Sequence, residues 1–107
     1  MTVGDWLAAR TPPPPPELAA RVREALGDAL MLDAATIPDA ALVAAERLLE
    51  SLLARGCASR EQAGALLTAD ALVTYAFEGS AEDPASVTAL AERMMRRIAV
   101  LLPAGAA

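Results

Sequence analysis

Histidine, lysine and asparagine are absent from this chain of 107 residues, and Cys57 is its one cysteine. Without histidine there is no Ser-His-Asp or Cys-His nucleophilic machinery. With one cysteine there is no Cys/His zinc site and no iron–sulfur cluster. No intrachain disulfide can form, so nothing points to an oxidising compartment. Aromatic residues are limited to Trp6, Tyr75 and Phe77. That scarcity argues against a β-sandwich or barrel, which draws on aromatic and β-branched side chains. Positive charge rests on nine arginines against fourteen acidic residues, a net charge of −5. An acidic chain lacks the basic footprint of a nucleic-acid binder, so no nucleic-acid partner is expected.

Long uncharged apolar runs are missing too. A membrane span needs ~18 to 20 such residues. The nearest stretch, Gln62 to Phe77, carries Asp70 at its centre. No membrane partner is expected. The first residues show neither the positive n-region nor the apolar h-region of a secretory signal, so the expected compartment is the cytoplasm. Carboxylates are scattered without the spacing of a calcium loop, and no cofactor or metal is expected.

What the chain does have is alanine, 27 residues, and leucine, 16 residues. Both favour helix. Area scaling gives roughly 5,600 Å² for a compact monomer of this mass, with about 65% of the unfolded surface buried. The core is therefore modest.

Thr2 and Asp5 have the form of a capping box, opening a short helix with Val3, Trp6 and Leu7 on one side. Pro12 to Pro16 follow as a polyproline rod of about 15 Å, which sets Trp6 apart from the main body. Pro16 suits the first position of the next helix, with Leu18, Val22, Ala25 and Leu26 as its stripe and a break at Gly27. Thr36 is expected to cap the following helix, whose seam is Leu42, Ala45, Leu49 and Leu52, stopping at Arg55-Gly56. Ser59 and Gln62 make a second capping box for a helix ending near Gly79. Asp83 and Pro84 start the last one, with Val87, Leu90, Met94, Ile98 and Leu101 as its stripe and a stop at Pro103.

The expected fold is all-α: an up-and-down four-helix bundle with a short N-terminal helix on a polyproline linker. Residues 1–11 form the amphipathic segment, 12–16 the linker, 17–102 the bundle and 103–107 a frayed tail.

Around the helix from Ser59, Ala63, Leu66, Leu67, Val73 and Phe77 share a sector that also holds Asp70, with Thr74 one turn on. Read as a buried face, that sector gives Asp70 a partner, since an unpaired buried carboxylate is costly. Arg93 and Arg97, one turn apart beside the last helix's stripe, are the candidates. Asp70, Thr74, Arg93 and Arg97 are thus the candidate polar pair or pocket. The run from Ala69 to Glu78 resembles a helix of the all-α prenyl synthases, where a Gly-Asp-Ala-Leu-Leu run is common. The aspartate-rich DDxxD motif of that family is absent and the chain is under half the length, so no function is carried over.

The expected function is a non-enzymatic interaction or assembly module that self-associates, most simply as a twofold dimer. Trp6, Leu7, Met95, Val100 and Leu102 are the candidate interaction surface. The N-terminal segment is open to two readings: it docks on another protein, a further candidate partner, or it folds back on the bundle as a lid tethered by the proline rod. The alternative is a small apolar-ligand-binding or regulatory bundle with an internal pocket near Asp70.

Overall fold

Side-chain caps and prolines set most of the helix boundaries. The computed structural model describes residues 1–55 and 59–101. Helix α1, Val3–Ala8, opens on the Thr2–Asp5 box: the Thr2 hydroxyl accepts from the Asp5 N–H, and the Asp5 carboxylate accepts from the Thr2 N–H. The Thr2 N–H, donating to the Asp5 carboxylate, and the Thr2 side chain beside it hold that carboxyl below the ordinary aspartate range. Helix α2, Pro16–Leu26, begins at the last proline of the rod. It ends at Gly27, whose φ of 52° is a left-handed value that favours glycine. Two 3₁₀ turns, Gly27–Met31 and Ala34–Thr36, lead into helix α3, Ile37–Arg55.

Thr36 does not cap α3 as expected. Its hydroxyl donates to the Asp33 carbonyl, and Asp33 caps the preceding 3₁₀ turn by accepting from the Ala35 N–H. A nearby aspartate thus takes the capping role at this start. Helix α4, Arg60–Ser80, opens on the Ser59–Gln62 box. Helix α5, Pro84–Leu101, follows Asp83. The Ser86 hydroxyl and the Ala85 N–H both donate to the Asp83 carboxylate, and keep its pKa low. The expected stops at Gly56 and Pro103 and the tail at 103–107 lie outside the described residues, as do Cys57 and Leu102.

The described residues form an all-α helical bundle built around the α3–α4 pair. These two helices run antiparallel. A Cβ on Gly79, near the end of α4, would sit 2.6 Å from the Ile37 side chain at the start of α3. At the other end, Leu48 and Leu52 share a groove with Ala65 and Thr68. α2 packs across both helices on one flank and α5 on the other. Ion pairs from Arg93 to Asp39 and from Arg97 to Glu46 advance together along both chains, so α5 runs parallel to α3.

The core is Val22, Leu26, Ile37, Ala41, Leu42, Ala44, Ala45, Leu72, Ala76 and Leu90, together with Val3 from α1. Val3 is fully buried. The proline rod therefore does not hold the N-terminal helix away from the body. The chain returns, and Val3 N–H donates to the Leu32 carbonyl at 2.8 Å while Ala34 N–H donates to the Met1 carbonyl at 3.0 Å. Among the described residues no helix is long and apolar enough to cross a membrane.

Candidate interaction surface

The buried face of α4 is not the one that holds Asp70. Thr68, Ala69, Leu72, Ala76 and Ser80 face inward, at steps of three and four. Asp70 is exposed, and so are Leu66 and Leu67, at 47% and 56%. α3 presents Ala41, Ala44 and Ala45 to its neighbours, and alanines let two helix axes approach closely. Ala69 and Ala76 of α4, with Leu72 between them, fit that contact, and Leu66 and Leu67 are left outside it. Thr68 and Ser80, though buried, satisfy their hydroxyls by donating to the carbonyls four residues back, Gly64 and Ala76.

The expected pairing of Asp70 with Arg93 or Arg97 is therefore corrected. Thr74 donates to the Asp70 backbone carbonyl rather than to its carboxylate, and both side chains stay in solvent. Arg93 pairs with Asp39, whose side chain is 75% exposed, so that bridge contributes at most about 1 kcal/mol. Arg97 turns to Glu46. Its Nε and Nη2 both lie 3.1 Å from Oε2 of that glutamate. This contact raises the Arg97 pKa, chiefly through the hydrogen bond. The Glu46 side chain is only 10% exposed. It is the buried carboxylate among the described residues, one residue beyond Ala45 of the α3 seam. Its neighbours at i−4 and i+3, Leu42 and Leu49, are the sequence signal for it.

Trp6 and Leu7, expected on a contact surface, are half-buried against the core. The Trp6 ring meets Tyr75 edge to face at 5.9 Å between centroids. The Arg10 guanidinium lies 3.8 Å above the Trp6 ring and 3.9 Å from Glu78. Burial, with Glu78 nearby, raises the Tyr75 pKa, and Arg10 acts in the opposite sense. Tyr75 and Phe77 point about 200° apart around α4. The docked Trp6 therefore covers the α2 side of α4 and leaves the α5 side open.

On that open side the apolar surface continues from one helix to the next. Helical spacing puts Leu66, Val73 and Phe77 on the edge of α4 toward α5, and Ala91, Met95 and Ile98 on the facing edge of α5. Val73 and Phe77 pack partly against the core. Met95 and Ile98 are 69% and 38% exposed. Val100, 77% exposed, falls on the opposite edge of α5, beside Glu46 and Arg97. Two grooves of 650 and 620 Å³ lie along the α2–α4 contact, and Asp70 lines neither. Comparison with protein-family profiles, curated proteins and solved structures returned no match.

Proposed function

We propose that this protein is a non-enzymatic interaction module that assembles with a second copy of itself through the joint outer face of α4 and α5. One observation carries the reading: Leu66, Met95 and Ile98 stand substantially exposed on two adjacent helices, with Leu53 exposed at the end of α3. Apolar surface of this kind marks partner sites in soluble proteins. α5 supports it further, since Leu90 is the one residue of that helix that is buried. A helix with so little of its apolar surface covered gains most from a neighbour.

Two copies meeting on this face would place two α4–α5 pairs together as a four-helix unit with twofold symmetry. The cytoplasm is the proposed compartment, because a single cysteine offers no intrachain disulfide. A ligand-binding bundle would need a cavity other than one at Asp70. Light scattering tests the self-association. At micromolar concentration the mass should be near twice 11.0 kDa. Met95→Glu or Leu66→Glu should return it to the monomer. A wild-type mass of 11.0 kDa across that range overturns the proposal.

A further inference from the structure

The proline rod belongs neither to the core nor to the face on α4 and α5. Each proline ring fixes φ at about −65°, and each proline keeps the residue before it out of the helical region. Pro12 to Pro15 are therefore confined to a polyproline II path, and Pro15 shows it with φ −53° and ψ 145°. Both ends of the rod are anchored. The Arg10 N–H donates to the Leu7 carbonyl at 3.2 Å, and the Ala19 N–H donates to the Pro15 carbonyl at 2.9 Å as α2 begins. Pro12, Pro13, Pro15 and Pro16 are exposed, and Pro14 is half-buried. Polyproline II has three residues per turn, so Pro12 and Pro15 share one edge, Pro13 and Pro16 a second, and Pro14 lies on the third. The half-burial of Pro14 shows the third edge turned to the body, where Pro13 and Pro14 line a cavity of about 140 Å³ with Leu7, Ala19, Val22 and Tyr75.

We propose that the two outward edges, Pro12 with Pro15 and Pro13 with Pro16, are a docking ligand for the aromatic-lined groove of another protein. A three-sided rod laid in a groove presents the face between two edges and turns its third edge away. The edge a groove does not read is the one this fold covers for itself. The rod has no N–H to donate and offers carbonyl acceptors, which suits the Trp N–H and Tyr O–H donors of an aromatic groove; a purely aliphatic surface would leave those carbonyls without donors. A stiff rod pinned at both ends loses little conformational entropy on docking. Arg10, just before the rod, is already held over Trp6 and near Glu78, so the groove reads the prolines and not a flanking charge. Leu67, 56% exposed, shares the 620 Å³ groove with Pro15 and Leu18 and extends the apolar contact. A second copy does not supply the partner's groove, because Trp6 and Tyr75 are packed on each other. The rod lies on the α2 side of α4, away from the face proposed for self-association, and does not depend on it.

The test is an NMR titration of the whole chain into isotope-labelled SH3 and WW domains, whose aromatic grooves take polyproline II segments. A synthetic peptide of residues 9–19 is titrated beside it. Amide signals along the groove of at least one domain should shift saturably, with the micromolar dissociation constant of contacts below ~1,200 Å². The whole chain should bind as tightly as the peptide or more tightly, because the fold presets the rod. In the whole chain, Pro13→Ala and Pro15→Ala should each weaken binding roughly fivefold or more, as loss of an anchoring residue does, and Pro14→Ala by less than about twofold. Pro13 lies outside α2, so its variant decides the matter should Pro15→Ala disturb the start of that helix. Three results overturn the proposal. The peptide binds and the whole chain does not, which makes the rod a covered spacer. Neither binds either domain. Or Pro14→Ala weakens binding as much as Pro13→Ala.

Discussion

Two glycines in one helix make opposite demands on the same substitution. Gly64 lies under the Arg21 guanidinium, and an added Cβ would come within 2.6 Å of Nη1. Arg21 is a long, half-exposed side chain that can shift. Gly64→Ala should then show the ordinary helix gain, about 1 kcal/mol of added stability. Gly79 is also 2.6 Å from its obstacle, but that obstacle is the side chain of Ile37, which is fully buried. Gly79→Ala should cost about 1 to 3 kcal/mol, as overpacking does. Urea melts of the two variants read both signs. Equal shifts would mean that Ile37 moves as freely as Arg21. Gly64 and Gly79 look alike in the sequence, and only the neighbour across the gap tells them apart.

The helix α1 is too short to hold together alone, since isolated helices of fewer than ~12 residues are marginal in water. What fixes it is tertiary: buried Val3, the main-chain bonds to Leu32 and Ala34, and the Trp6–Tyr75 contact. An edge-to-face aromatic pair contributes about 0.5 to 1.5 kcal/mol beyond its area, and the Arg10 cation above Trp6 adds about 0.5 to 1. Trp6→Ala should therefore destabilise the fold by about 3 kcal/mol, toward the lower end for tryptophan because the ring is only half-buried. Thermal unfolding followed by circular dichroism checks this. A melting point equal to wild type would show that α1 is an independent appendage. The capping boxes at Thr2 and Ser59 and the Asp83-Pro84 start were all legible in the sequence, because a cap is a local bond spanning three residues. The docking of α1 was not, because a proline rod specifies its own conformation and not what lies beside it.

At the scale of the whole molecule, a small alanine-rich core leaves α5 thinly held. If a second copy covers α4 and α5, folding and association are linked, and the melting temperature must rise with protein concentration. A hundredfold increase should raise it by several degrees for wild type and leave Met95→Glu unchanged. A concentration-independent melt in both would separate stability from association. The same arrangement explains the polar contacts. Arg93 and Arg97 reach Asp39 and Glu46 because α5 lies parallel to α3, a relation that spans more than fifty residues of chain.

Composition, the absent histidine, the prolines and the capping residues determined that the chain is helical, where most helices begin, and which chemistries are closed to it. These are properties of single residues or of neighbours within one turn. Which face of α4 is buried was decided by the tertiary structure alone. α4 is apolar around most of its circumference, so periodicity offered two candidate faces. The choice fell to the side whose alanines fit against those of α3. That choice put Asp70 in solvent, turned Leu66 outward, and left Glu46, on the neighbouring helix, as the carboxylate that is buried.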